Sequence, residues 1–138
     1  MDFEKEREVR EAIAAGERAL SNLREAKEML NKAGNWGLVD MLGGGAISAY
    51  MKYSKMDVAQ QKIDAARRAL RDYGRELRDV ADVADIRIEV SDFLQIADYF
   101  WDNAGVDFLV QRRIKESKRK VDEAIEKIEQ LQARLWAM

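Results

Sequence analysis

The chain has 138 residues, 47% of them hydrophobic and 36% charged, which is the composition of one folded domain rather than of a disordered or membrane-embedded chain. Cysteine and histidine are both absent, which excludes disulfides, thiolate or imidazole metal sites, and catalytic groups built on either residue. The net charge of −2 provides no overall attraction to nucleic acid or acidic lipid. Proline is absent too, so we expect long uninterrupted helices in a single domain over residues 1–138.

The first segment, from about Phe3 to Ala33, carries apolar residues at alternating spacings of four and three, with Lys27 as the one polar break. This spacing predicts an α-helix with one side packed against another helix. The stripe comprises Val9, Ile13, Gly16, Leu20, Leu23 and Leu30. Gly34 predicts the end of this helix, because a residue without Cβ tolerates the left-handed turn of a C-cap.

The second predicted helix runs from about Met41 to Ala81, with Asp40 as its N-cap. Three glycines near its start, Gly43, Gly44 and Gly45, weaken it by roughly 1 kcal/mol each, so we expect them to allow close packing of another helix. A clean stripe follows after a slip in spacing near Val58. This second stripe comprises Ala59, Ile63, Ala66, Leu70, Tyr73, Leu77 and Val80.

Residues 85–90 alternate polar and apolar side chains, which predicts a short extended crossover rather than a helix. Ser91 is the expected N-cap of a short helix that ends at Trp101. Its inward residues are expected to be Phe93, Ile96, Ala97 and Phe100. Residues 102–105 predict a turn.

The final helix is expected to begin with Asp107 as its N-cap and again shows spacings of four and three. Its stripe comprises Val110, Ile114, Ser117, Val121, Ala124, Ile128, Leu131 and Leu135. Three such stripes in one small chain predict an all-α fold. The expected architecture is an elongated bundle of long antiparallel helices, with one or two short helices and the extended crossover.

Two features resemble ligand sites and have simpler explanations. The Gly43–Gly45 run could cradle a phosphate, but it lacks the Walker lysine and no strand precedes it, so close helix packing is favoured. Asp98, Asp102 and Asp107 could hold a hard cation, but they do not match an EF-hand loop. Helix caps and turns explain these carboxylates, so no metal or cofactor is predicted.

Basic residues are concentrated in two places, residues 112–120 and a ridge on the second predicted helix. The ridge comprises Arg67, Arg71, Arg75 and Arg78. A nucleic-acid site needs basic residues that acidic neighbours do not neutralise. The strongly acidic stretch 79–107 favours neutralisation within the bundle or between subunits, which disfavours nucleic acid as a partner.

Residues 36–80 resemble an uncharacterised family of bacterial helical proteins. The resemblance rests on the pattern W-x3-D-x-L-G-G-G, which begins at Trp36, and on K-x-S-K-x-D-x-A, which begins at Lys52. A second block, residues 86–107, is similar in its aromatics and its acidic turn. The family has no assigned activity, so the resemblance implies a bacterial cytosolic helical protein. If the pattern marks a site, its residues are Asp40, Ser54, Lys55 and Asp57.

The sequence therefore predicts an interaction or scaffold protein that acts through protein–protein contacts, including contacts with a second copy of itself. Residues 1–6 are charged and do not resemble a secretory signal, so we expect a cytoplasmic protein. The alternative is a small enzyme or ligand-binding protein that uses the aromatic and acidic end of the bundle. The candidate binding residues are Trp36, Asp40, Ser54, Lys55, Asp57, Asp98, Trp101 and Asp102.

Overall fold

The computed structural model describes residues 3–42, 46–81, 85–102 and 111–138, and side chains within residues 3–31, 58, 60–81, 85–100 and 115–138. This described part is all-α and contains no strand, which confirms the predicted fold class. Its helices are α1 (Phe3–Leu42), α2 (Ala46–Val80), α3 (Arg87–Asp102) and α4 (Gln111–Trp136).

The helices form a ring in which α1 and α3 each pack against both α2 and α4. Ion pairs between α1 and α4 show that these two helices are antiparallel. Arg24 lies 3.4 Å from Glu129, and Lys27 lies 2.6 Å from Asp122. Residue numbers therefore rise along α1 in the direction in which they fall along α4.

Helices α3 and α4 are also antiparallel, because Arg134 reaches Glu89 while Lys127 reaches Asp92. Helices α1 and α2 are antiparallel as well, because Glu25 pairs with Lys62 while Glu8 lies near Glu76. The arrangement is an antiparallel bundle.

The core is built from the predicted stripes. Ile13 to Leu30 of α1, Ile63 to Val80 of α2 and Val121 to Leu135 of α4 supply its buried side chains at helical spacing. Because α1 packs on two helices, it also buries a second stripe of small residues beside the first. This second stripe comprises Ala12, Ala15, Ala19 and Ala26. Side chains this small allow neighbouring helices to approach closely.

The predicted extended crossover is wrong. Helix α3 begins at Arg87, and Ser91, the expected N-cap, lies inside it. The buried residues of this segment are spaced four and three apart: Ile86, Val90, Phe93, Ala97 and Phe100. Ile88 is 76% exposed and is the apolar residue that produced the false alternation. Three apolar residues at alternate positions fit a strand, but two of them also fit one side of a helix.

The predicted boundary between the first two helices is also wrong. Helix α1 continues through Gly34 and Asp40 to Leu42, so neither residue is a cap, and α2 begins at Ala46 rather than Met41. One glycine inside a helix costs only about 1 kcal/mol, and without proline nothing stops the helix there. The expected glycine contacts at Gly43–Gly45 and the expected cap at Asp107 lie outside the described residues.

Candidate functional site

The predicted binding residues are spread over three helices. Asp98 is exposed on α3 and is the one member whose side chain is described. The others have helical backbone and side chains outside the described part: Trp36 and Asp40 in α1, Ser54, Lys55 and Asp57 in α2, Trp101 and Asp102 in α3. Their binding roles stay predictions.

One polar contact lies near the aromatic end of α3. The Tyr99 hydroxyl lies 3.4 Å from Oγ of Ser117, which is only 1% exposed. Nζ of Lys120 lies 5.5 Å from the centre of the Tyr99 ring, a cation–π distance. These contacts satisfy the one polar side chain in the α4 stripe, so a packing role is sufficient to explain them.

A buried polar cluster joins α1, α2 and α4. Tyr73 donates from its hydroxyl to Oε1 of Gln132 at 2.9 Å, and Nε2 of Gln132 donates to the backbone oxygen of Ile13 at 2.9 Å. The same amide lies 3.2 Å from Oε1 of Glu17. Burial, with a smaller contribution from Glu17, raises the pKa of Tyr73, so its hydroxyl remains a donor. Every polar group of this cluster has a partner, which favours a structural role.

Gly16 provides the space for this cluster. A Cβ at position 16 would lie 2.2 Å from Oε1 of Gln132. Sequence reasoning placed Gly16 in the apolar stripe but missed Gln132 and the role of Tyr73. The sequence does indicate that a partner is needed here, because Gly16 stands in the stripe where a large apolar residue is expected. A close-packed core requires a neighbouring helix to fill that space.

Three carboxylates cluster between α1 and α2. Oxygens of Glu8, Glu76 and Asp79 lie within 4.8 Å of one another. Oε2 of Glu8 and Oε2 of Glu76 are buried and have no hydrogen-bond partner among the residues that the structure describes. Loss of hydration raises the pKa of Glu76, and nearby carboxylates raise it further, while Arg18 opposes them. Oxygens at this spacing suit a hard cation or a shared proton, although exposed acidic groups often cluster without either.

Exposed apolar side chains are concentrated at the end of the bundle where α1 begins and α4 ends. Phe3 is 83% exposed, Trp136 is 68% exposed and Met138 is 50% exposed. A groove of about 590 Å³ between α1 and α4 has Trp136 and Met138 in its lining. It is lined by Lys5, Glu6, Val9, Arg10, Ile13, Leu135, Trp136 and Met138. We call Phe3 and these groove residues the terminal patch. Clustered exposed apolar surface of this kind marks binding sites.

The basic ridge of α2 is partly neutralised within its own helix. Arg67 pairs with Asp64 at 3.4 Å and Arg75 pairs with Asp72 at 2.7 Å. A shallow groove of about 490 Å³ beside these pairs is lined by Arg71, Gly74, Arg75 and Arg78. Acidic residues alternate with the arginines, so the ridge is not the uniform positive surface that nucleic acid selects.

No protein-family model, curated protein or solved structure matches this chain. The resemblance of residues 36–80 to a bacterial helical family therefore rests on its sequence pattern and stays a prediction. Among the described residues, no helix is both long and apolar enough to cross a membrane.

Proposed function

We propose that this chain is a helical interaction protein that binds protein through the terminal patch. The observation that carries the proposal is the exposure of Phe3, Trp136 and Met138 at the end of the bundle that also holds the groove between α1 and α4. Large aromatic side chains and methionine are enriched at protein-binding surfaces, where they bury much apolar area.

The mixed character of the groove also favours a protein partner. Its floor is formed by partly or fully buried Val9, Ile13 and Leu135, and its rim carries the charges of Lys5, Glu6 and Arg10. An apolar floor with a charged rim resembles a surface that receives an amphipathic helix, whose apolar stripe fills the floor while its flanks meet the charges. A small-molecule pocket would enclose its ligand more completely.

The other readings have weaker support. The enzyme or ligand-binding alternative uses the aromatic end with Asp98, Asp102 and Lys55. The side chains of Asp102 and Lys55 lie outside the described residues, so it stays a prediction. The absence of cysteine and histidine removes the commonest nucleophile–base pairs from the chain. We place the protein in the cytoplasm because a chain without disulfides suits a reducing compartment.

Photo-crosslinking inside cells tests the proposal. A photoreactive phenylalanine derivative replaces Trp136 in one variant and Arg71, exposed on α2 away from the patch, in a matched control. We expect a discrete protein adduct from position 136 and none of that mass from position 71. Equal adduct patterns from both positions, or none from position 136, would contradict a binding role for the patch.

A further inference from the structure

We propose that the terminal patch binds a second copy of this chain, with the first three turns of α1 from each copy packed antiparallel about a two-fold axis. This inference rests on the proposed function, because it names the partner of the same surface. The observations that carry it are the order of residues along one stripe of α1 and the charges that this stripe leaves unpaired.

The stripe comprises Phe3, Glu6, Arg10 and Ile13, spaced three, four and three residues apart. Residues with this spacing lie on one side of an α-helix. Along the helix the order is apolar, acidic, basic, apolar. Phe3 is almost fully exposed, and the other members line the groove between α1 and α4.

This order is complementary to itself when the helix is reversed. If two copies of α1 cross antiparallel with the axis level with Glu8, Phe3 of one copy faces Ile13 of the other. Glu6 then faces Arg10, and the two-fold axis repeats both contacts. A two-fold interface requires that residue i of one copy meet residue j of the other while j meets i, and this stripe satisfies the condition.

The charges of the stripe are free to make these contacts. Within the part of the chain that the structure describes, neither Glu6 nor Arg10 forms an ion pair, although they lie one turn apart on α1. Lys5, which also lines the groove, has no ion-pair partner there either. Charge pairs of this kind fix register and orientation between helices.

The apolar members complete the contact. Phe3 of the second copy would enter the groove at its Ile13 end, where Trp136 and Met138 are exposed on the facing wall. Because only the first three turns of α1 and the groove beside them take part, we expect the contact to bury less than the roughly 1,600 Å² of a standard interface and to form a reversible dimer with a dissociation constant on the order of micromolar.

Charge reversal with rescue tests the proposal, using light scattering on a sizing column over a series of concentrations. Untagged wild-type protein should shift from 15.9 kDa toward twice that mass as its concentration rises. Glu6→Arg alone and Arg10→Glu alone each place like charges together twice, and each should weaken the dimer roughly tenfold or more. An equimolar mixture of the two variants restores both opposite-charge contacts, and so does the double variant, so both should dimerise like wild type.

Two control variants test whether a substitution elsewhere on the surface also weakens the dimer. Ile88→Ser removes an exposed apolar residue of α3 outside the groove, and Arg71→Glu reverses an arginine of α2 that forms no ion pair within the described part of the chain. Both should dimerise normally, and circular dichroism should show every variant equally helical. A wild-type mass of 15.9 kDa at all concentrations, or single variants as dimeric as wild type, overturns the proposal.

Failure to restore the dimer in the mixture also overturns it, because the register would then be wrong. The result can be separated from failure of the proposed function. A monomeric chain that still crosslinks another protein from position 136 keeps the binding role of the patch and rejects the second copy as its partner.

Discussion

Helix α1 carries an apolar stripe that the rest of the bundle buries and a shorter stripe, beginning at Phe3, of which only Ile13 is buried. The stripe from Ile13 to Leu30 is buried by α2 and α4. The stripe that begins at Phe3 runs along the edge of the groove and leaves its aromatic ring in solvent. The two stripes share Ile13, so the helix surface passes directly from core to exposed patch.

The difference shows that helical spacing predicts where a side chain points but not what covers it. In the covered stripe, the space left by the missing side chain of Gly16 is filled by Gln132 of another helix. In the exposed stripe Glu6 and Arg10 have no ion pair among the described residues. Unpaired charges beside an exposed aromatic side chain are expected of a surface that binds a partner.

The largest expected effect is a contrast between two phenylalanines. Phe93 is fully buried and packs edge-to-face on Tyr73 with ring centres 5.2 Å apart, so Phe93→Ala should lower the free energy of unfolding by about 3–5 kcal/mol. Phe3→Ala should change it by less than about 0.5 kcal/mol in dilute, monomeric protein. Urea unfolding measures both variants. A large loss from Phe3→Ala would mean that the exposed stripe belongs to the core.

A smaller effect is expected where α1 and α4 touch. Gly16→Ala should expel the Gln132 amide from its bonds to Tyr73 and Ile13, which costs about 1–3 kcal/mol, partly offset by about 1 kcal/mol of helix propensity. We therefore expect the free energy of unfolding, measured by thermal unfolding, to fall by up to about 2 kcal/mol.

Gly16→Ala should stabilise the protein instead of destabilising it when the Gln132 side chain has been removed first. In a Gln132→Ala background, Gly16→Ala should stabilise the protein by about 0.5–1 kcal/mol, because only the helix propensity remains. The same loss in both backgrounds would show that Gly16 is not reserved for the Gln132 side chain.

The smallest expected effect concerns the acidic cluster. The pKa of Glu76 is raised in the folded protein, chiefly by burial and then by Glu11, Asp79 and Glu8. The folded state therefore holds this proton more tightly than the unfolded state, and Glu76 lowers stability progressively as pH rises above its ordinary pKa. Glu76→Gln should stabilise the protein at pH 7 by less than about 1 kcal/mol and have no effect near pH 3. An equal effect at both pH values would exclude titration of Glu76 as the cause.

Most of the fold could be predicted from the sequence, because a buried helix side repeats at a period that few other structures share. Leu70, Tyr73 and Leu77 were placed in the core by spacing alone, and the structure buries them. The start of α3 could not be predicted in this way. A segment from Ile86 to Val90 is too short for its period to separate a strand from a helix.

The candidate site could be predicted less well, for a physical reason. The exposure of Trp136 depends on which helices stop beside it, and the Tyr73–Gln132 bond joins residues 59 positions apart. Neither property is local in sequence. The self-complementary order of Phe3, Glu6, Arg10 and Ile13 is visible in the sequence, but only the structure shows that Phe3 and Arg10 are exposed while Ile13 is buried.

The most direct test of antiparallel self-pairing is a disulfide between two different single-cysteine variants, because the chain has no cysteine of its own. Glu6→Cys and Arg10→Cys chains are mixed under mild oxidation by diamide. The mixed dimer brings the two thiols face to face and keeps one Glu6–Arg10 pair on the opposite side of the axis, whereas neither like pair does so. The account predicts mixed disulfide dimers in clear excess over both like dimers. Mixed and like dimers in the statistical 2:1:1 ratio that random collision gives for equally reactive thiols would contradict it.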